Sequence, residues 1–192
     1  MISRLGVSAK VTSSADDVRV ATSIILPGVG AYGYGMEKLN ESGLIPSLED
    51  RVIVDKIPLL GICLGMQLLF DFGEEGNVPG LGWVGGTVKR FDFSNYTNTD
   101  KPKLPHMGWN VAKPFRDTNV TFDAKDEQRF YFVHSFHCVC DNEDDILLTS
   151  HYGYEFTCAI KKDNIYGVQF HPEKSHRFGL ELLKTFLLDS TC

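Results

Sequence analysis

Pro58-Leu59-Leu60-Gly61-Ile62-Cys63-Leu64-Gly65-Met66-Gln67 decides the fold. An apolar strand runs directly into Gly-x-Cys-x-Gly, and an apolar run with helical spacing, Leu64 to Phe70, follows it. Strand, sharp turn and helix make up a nucleophile elbow, here with cysteine in the nucleophile's place. Side chains two residues either side of Cys63 would collide with the neighbouring strand or the following helix, so both positions are glycine. The turn lifts the sulfur out of the sheet and sets it near the first N–H groups of a helix. Partial positive charge there favours the reactive thiolate. The Leu64 amide is then expected to face the oxygen of any carbonyl under attack.

Outward from this segment, the first part of the chain alternates strand and helix. Thr22 to Leu26 reads as a strand, 34–42 and 46–56 as helices with Met36, Leu39, Leu48 and Val52 facing inward, and Pro58 to Ile62 as the next strand. Such alternation predicts a mostly parallel sheet covered on both faces. After Gly82 short strands take over: 83–91, 107–112, 130–140, 146–151, 154–161 and 165–170. These are expected to add antiparallel strands to the sheet. Residues 92–103 read as a loop, and Phe178 to Leu188 as an amphipathic helix burying Leu180, Leu183, Phe186 and Leu187. The fold class expected is α/β, three-layered and doubly wound, in one domain spanning 1–192.

Composition fits that reading and narrows function. The 192 residues are 43% hydrophobic and 23% charged with a net charge of −6, enough apolar material for a core and no basic field for nucleic acid or an anionic membrane. The longest apolar stretch, Ile57 to Phe70, is broken by Pro58, Gly61, Gly65 and Gln67, and falls short of the roughly 20 residues of a spanning helix. Met1 to Gly6 carries neither the basic nor the apolar region of a secretory leader. Cys63, Cys138, Cys140, Cys158 and Cys192 are too irregular for a disulfide framework, so reduced thiols in the cytoplasm are expected.

A thiolate nucleophile needs a base, and the base an orienting group. In Gly167-Val168-Gln169-Phe170-His171-Pro172-Glu173, residues 171 and 173 share one side of an extended chain. A carboxylate there can fix the imidazole tautomer, giving a Cys63–His171–Glu173 triad. Two other patterns invite different readings. Gly28-Val29-Gly30-Ala31-Tyr32-Gly33 spells a dinucleotide fingerprint, with Glu49 and Asp50 about 20 residues on. Pro27 stiffens that turn, however, and the acids fall in a helix, so supplying a second oxyanion amide opposite Leu64 suits it better. His134-Ser135-Phe136-His137-Cys138-Val139-Cys140 suggests a metal cluster, but Cys-x-Cys lacks zinc-knuckle spacing and a core strand is expected.

Taken together, these residues resemble the class I glutamine amidotransferases, and within them the glutaminase subunits of imidazole glycerol phosphate synthase. The resemblance runs through Leu26-Pro27-Gly28-Val29-Gly30-Ala31, the elbow, Pro79-Gly80-Leu81-Gly82, His106-Met107-Gly108-Trp109-Asn110, Tyr131 to Ser135 and Gly167 to Ser175. It implies that Cys63 is the nucleophile, His171 the base and then acid, and Glu173 its orienter. The amides of Leu64 and, after a peptide reorientation, Val29 would hold the oxyanion. Gly30, Gln67, Glu75 and the His134-Ser135-Phe136 backbone would hold the α-amino and α-carboxylate groups of L-glutamine. Trp109 and Lys174 would lie near the face meeting a (β/α)8-barrel cyclase. No cofactor or metal is implied, and no nucleic acid or membrane.

Two departures from the family stand out. The family opens with a strand, an Asp-Tyr-Gly-x-Gly-Asn turn and a long helix. Here Met1 to Gly6 reads as the end of that helix leading into a strand at Ala9 to Thr12, so the first strand and most of the first helix are expected to be missing. Residues His171 to Gly179 also sit closer to paralogues that supply ammonia for sugar amidination in surface-polysaccharide pathways. A free-standing cysteine hydrolase and an inactive truncated subunit are the remaining alternatives.

Overall fold

The computed structural model describes residues 1–96, 101–115 and 128–189. Cys192 and residues 97–100 of the expected loop lie outside the described residues. A 3-10 turn at Ile2–Leu5 precedes α1 (Ala15–Arg19), β1 (Ile24–Gly28), α2 (Tyr32–Glu41) and α3 (Ile45–Glu49). A π-helical turn at Asp50–Val54 continues α3, then come β2 (Leu59–Cys63), α4 (Leu64–Gln67), β3 (Phe70–Gly73), β4 (Val78–Pro79) and β5 (Val84–Arg90). β6 (His106–Pro114), β7 (Gln128–His134), β8 (Phe136–Cys140), β9 (Ile146–Tyr152), β10 (Tyr154–Lys162) and β11 (Ile165–Val168) follow, and α5 (His176–Asp189) closes the chain.

The strands run β1-β2-β11-β10-β8-β5-β3-β4, while β9 joins β10 to β6 and β6 pairs with β7. β1, β2 and β11 are parallel neighbours, with Gly28 opposite Cys63 and Val168 opposite Ile62. β2 is buried along its whole length, as befits a strand flanked on both edges and covered on both faces. Its side chains alternate between two cores. Leu59 packs with Met36, Leu39, Leu48 and Val52 on one face; Leu60 and Ile62 pack with Phe130, Phe170, Leu183 and Phe186 on the other. The α/β layering expected from the sequence therefore holds, with β11 turning back against β10 to begin the antiparallel additions.

Four local expectations fail, for identifiable reasons. The helix after Cys63 stops at Gln67 because Phe70 begins β3, which is held between β4 and β5. Every residue from Leu64 to Phe70 is buried, so the apolar run carried no usable periodicity. Residues 9–12 form no strand: Val11 is fully exposed, and an extended segment without a neighbouring strand has no ladder to join. The strand expected at 130–140 breaks at Ser135 into β7 and β8, which join different neighbours. In α5, Leu182 takes the buried position expected of Leu180.

Candidate active site

The site grows from the C-terminal ends of three parallel strands, where open α/β sheets gather ligands. At the end of β2, Cys63 has φ 53° and ψ −110°, a conformation that side chains rarely adopt. The two flanking glycines make it possible. A Cβ on Gly61 would lie 2.8 Å from the Gly65 carbonyl oxygen and the Met66 backbone, and one on Gly65 would overlap the Leu26 carbonyl of β1. On the adjoining strand, Gly28 is tight against Leu64, where an added Cβ would come 3.0 Å from the leucine's own. Cys63 itself is buried.

His171 arrives three residues past the end of β11, the strand hydrogen-bonded to β2. Its placement rests on three backbone fastenings. Its amide donates to the Tyr131 carbonyl at 2.9 Å, its carbonyl accepts from Ser175 Oγ at 2.6 Å, and Ser175 Oγ in turn accepts from the Tyr131 amide at 3.0 Å. The turn at Pro172–Lys174 then brings Glu173 Oε1 within 2.7 Å of His171 Nδ1. Nε2 is buried, and among the described residues no hydrogen bond of normal geometry reaches it. The group acting on the ring most strongly is the Cys63 sulfur, ahead of Glu173; together they raise the imidazole to about 9 against the opposing effect of burial. Burial, the largest single influence, would push the Glu173 carboxyl up, but the hydrogen bond from His171, one from its own backbone and the charges of His171 and Lys174 together hold it below the ordinary value.

The ranking of those influences can be tested. In Cys63→Ala, the His171 imidazole is expected to titrate well below 9, and lower than in Glu173→Gln, when followed by ring-proton NMR. An unshifted titration would separate the two side chains. The sign for stability follows from the same value. Because the folded imidazole binds its proton more tightly than a free one at 6.5, the stabilisation is full below about pH 6.5. It is lost as pH rises through about 9.

Around the sulfur lies a buried polar network. Gln169 Nε2 points at Cys63 Sγ, 3.7 Å away, and its Oε1 accepts from Gln67 Nε2 at 2.9 Å. Gln67 Nε2 also reaches the Phe136 carbonyl at 3.3 Å. That carbonyl accepts from His134 Nδ1 at 2.7 Å, so His134 carries its proton there, and its Nε2 must accept from His106 Nδ1 at 3.0 Å. His106 Nε2 in turn accepts from Asn110 at 3.2 Å. Every link is satisfied with both rings neutral, consistent with burial lowering His106 to about 4 and His134 to about 3. His134, Ser135 and Phe136 thus belong to a braced turn beside the elbow, and Cys138 to the core, its thiol pushed well up by burial.

The remaining expected residues are spread around this centre. Val29 and Gly30 follow the end of β1; Val29 is 77% exposed and Gly30 has φ 106°. Leu64 begins α4, immediately after Cys63. Glu75 is half-buried, with Oε2 accepting from the Tyr32 amide at the start of α2 at 2.7 Å. Trp109 and Lys174 share an exposed face. The Lys174 ammonium sits 5.5 Å over the Tyr131 ring, and Trp109 lies parallel to His176 at 5.4 Å. Tyr131 links that face to the site through its bond to His171. Sequence reading gave no role to Gln169 or Ser175. Each is a polar residue that the fold buries completely, and Gln169 interrupts an apolar run, which was the available signal.

Comparisons with known proteins place the chain in a family. Residues 3–190 match the protein family described as glutamine amidotransferase class-I. An imidazole glycerol phosphate synthase subunit HisH from Bdellovibrio bacteriovorus is 49% identical over 183 residues, 95% of this chain and 89% of the relative. Subunits named HisH 2 from Methanococcus maripaludis and Pseudomonas aeruginosa are 46% and 44% identical, each across 97% of this chain and 90% of theirs. Among solved structures, a glutamine amidotransferase superposes with a TM-score of 0.71 over 100% of this chain and 90% of its own, at 18% identity. That last likeness speaks to the fold.

Proposed function

The chain belongs to the class-I glutamine amidotransferase family, and from that premise we propose that it hydrolyses L-glutamine through a thioester on Cys63. In this reading it is the glutaminase half of a heterodimeric, cytoplasmic imidazole glycerol phosphate synthase, serving histidine biosynthesis. The observation that carries it is a buried imidazole whose Nδ1 is fixed by Glu173, whose Nε2 has no hydrogen bond of normal geometry among the described residues, and on which the Cys63 sulfur is the strongest influence. In the bound complex, Gly30, Gln67, Glu75 and the turn from His134 to Phe136 hold the amino-acid end of glutamine. The Cys63 thiolate adds to the carboxamide carbon, and the developing oxyanion is met by the Leu64 amide and, after a peptide reorientation, by that of Val29. His171 gives its Nε2 proton to the leaving nitrogen, so ammonia departs and a thioester remains. A water then gives a proton back to His171 while its oxygen attacks the thioester, releasing glutamate and restoring the thiol.

Ammonia protonated in bulk water is no nucleophile, so it must leave unprotonated and shielded. The reading sends it to a (β/α)8-barrel cyclase docked on the face of Trp109 and Lys174, where the lyase chemistry follows. Ammonia supply for amidination of a surface sugar is a second reading. It is favoured by residues 171–179, whose His176 stacks on Trp109 within that same face. The two share every step up to ammonia release.

Glutamate release from the purified chain, measured with and without the cyclase and its nucleotide ligand, tests the proposal. The chain alone is expected to be nearly silent, and release to rise by well over about tenfold on docking, more than about 1.4 kcal/mol off the barrier. Full turnover without partner would mark a free-standing hydrolase. No turnover in either arm would mark an inactive subunit.

A further inference from the structure

Gln169 is fully buried, polar, and unused by the mechanism above, yet its amide is aimed at the nucleophile. The orientation of that amide follows from its neighbours. The Phe136 carbonyl can only accept, so the Gln67 group reaching it must be NH2, and the same NH2 donates onward to Gln169. Gln169 must therefore turn its oxygen to Gln67, leaving its own NH2 for the sulfur. A slipped or flipped amide would set two donors or two acceptors face to face in a dry interior. The backbone is tied as well, since the Gln169 amide donates to the Cys158 carbonyl at 2.9 Å.

We infer that Gln169 is a positioning residue for Cys63: it donates a hydrogen bond to the thiolate and is itself oriented by Gln67, a residue assigned above to holding glutamine. A donor aimed at sulfur stabilises the charged form over the thiol and restricts the side chain to the direction from which a carboxamide arrives. Because Gln67 bridges Gln169 and the turn at Phe136, the substrate-holding elements and the nucleophile share one rigid polar chain. This inference rests on the glutaminase reading only for the role of Gln67.

The test is alkylation of Cys63 by iodoacetamide in the full chain, with Cys63→Ala giving the background from the other thiols. The titratable groups round the sulfur, His171 with Glu173 behind it and Cys138 on β8, are kept in every variant. In Gln169→Leu, of similar volume and without a donor, alkylation at pH 7 is expected to slow about tenfold. At pH 10 the variant and parent rates should match, a recovery that a merely structural defect would not show. Gln169→Glu, which replaces the donor by a negative charge, is expected to slow more at pH 7. kcat for glutamate release should fall with KM little changed. Should Gln169→Leu fail to fold, Gln67→Met, which cannot hold the Gln169 oxygen, is expected to slow the pH 7 reaction in the same sense. Unchanged alkylation at pH 7 in folded variants would overturn the inference. Normal alkylation effects without any glutamate release would instead sink the glutaminase reading and leave the role of Gln169 standing.

Discussion

Gly65→Ala is expected to cost more than about 4 kcal/mol of stability, enough to unfold much of a protein whose whole margin is about 5–15 kcal/mol. The added Cβ would overlap the Leu26 carbonyl of β1, and both the strand and the first turn of α4 are backbone, with no side chain to swing aside. Relief requires parting α4 from β1, which also opens the layer where Leu64, Met66 and Leu69 pack. Thermal unfolding checks this: the midpoint should fall by at least about 10 °C, or the chain should fail to accumulate in soluble form. Gly85→Ala is the matched control. Its Cβ would meet Asp141 at an ordinary 3.6 Å, and its effect should stay within about 0.5 kcal/mol. Equal melting of the two variants would mean that the elbow tolerates a side chain and that its glycines have another purpose.

Cys63→Gly and Cys63→Ala are expected to abolish glutamate release equally, by about 10⁴-fold or more, and to differ in stability with an unusual sign. Glycine in a regular element ordinarily costs about 0.5–1 kcal/mol relative to alanine. At φ 53° and ψ −110° alanine carries strain that glycine does not, and strain of this kind is of order 1–3 kcal/mol. The glycine variant should therefore melt above the alanine variant, by about 2–4 °C for each 1 kcal/mol in a chain of this size. The parent then holds Cys63 at a cost in stability, which is the trade expected of a turn kept for chemistry. An alanine variant at least as stable as the glycine one would remove strain from the account. Residual turnover in either would remove Cys63 from the chemistry.

How much of this was legible in advance depends on the range of the information. The elbow could be read because its requirements are local: two glycines, a cysteine, an apolar strand before and an apolar run after. The same holds for His171 and Glu173, two residues apart on one extended face. The length of α4 could not be read, because a wholly buried segment such as Leu64 to Phe70 looks alike as helix or strand until its neighbours are known. The break at Ser135 was equally hidden, since β7 and β8 part only because β6 and β5 recruit them separately. Ala9 to Thr12 has a strand's composition and, among the described residues, no neighbouring strand.

The residues alone determined which groups can do chemistry: a cysteine on a turn that only glycine neighbours permit, and an imidazole with a carboxylate beside it. Side-chain identity and short-range sterics are enough for that. Tertiary structure alone decided that β11 lies beside β2, which brings His171 to the sulfur. It also decided that Gln67, Gln169 and the Phe136 carbonyl, distant along the chain, close into one donor–acceptor chain. Strand order and buried hydrogen-bond pairing are set by long-range packing, in which each polar group must find a partner among residues that only the folded chain brings near.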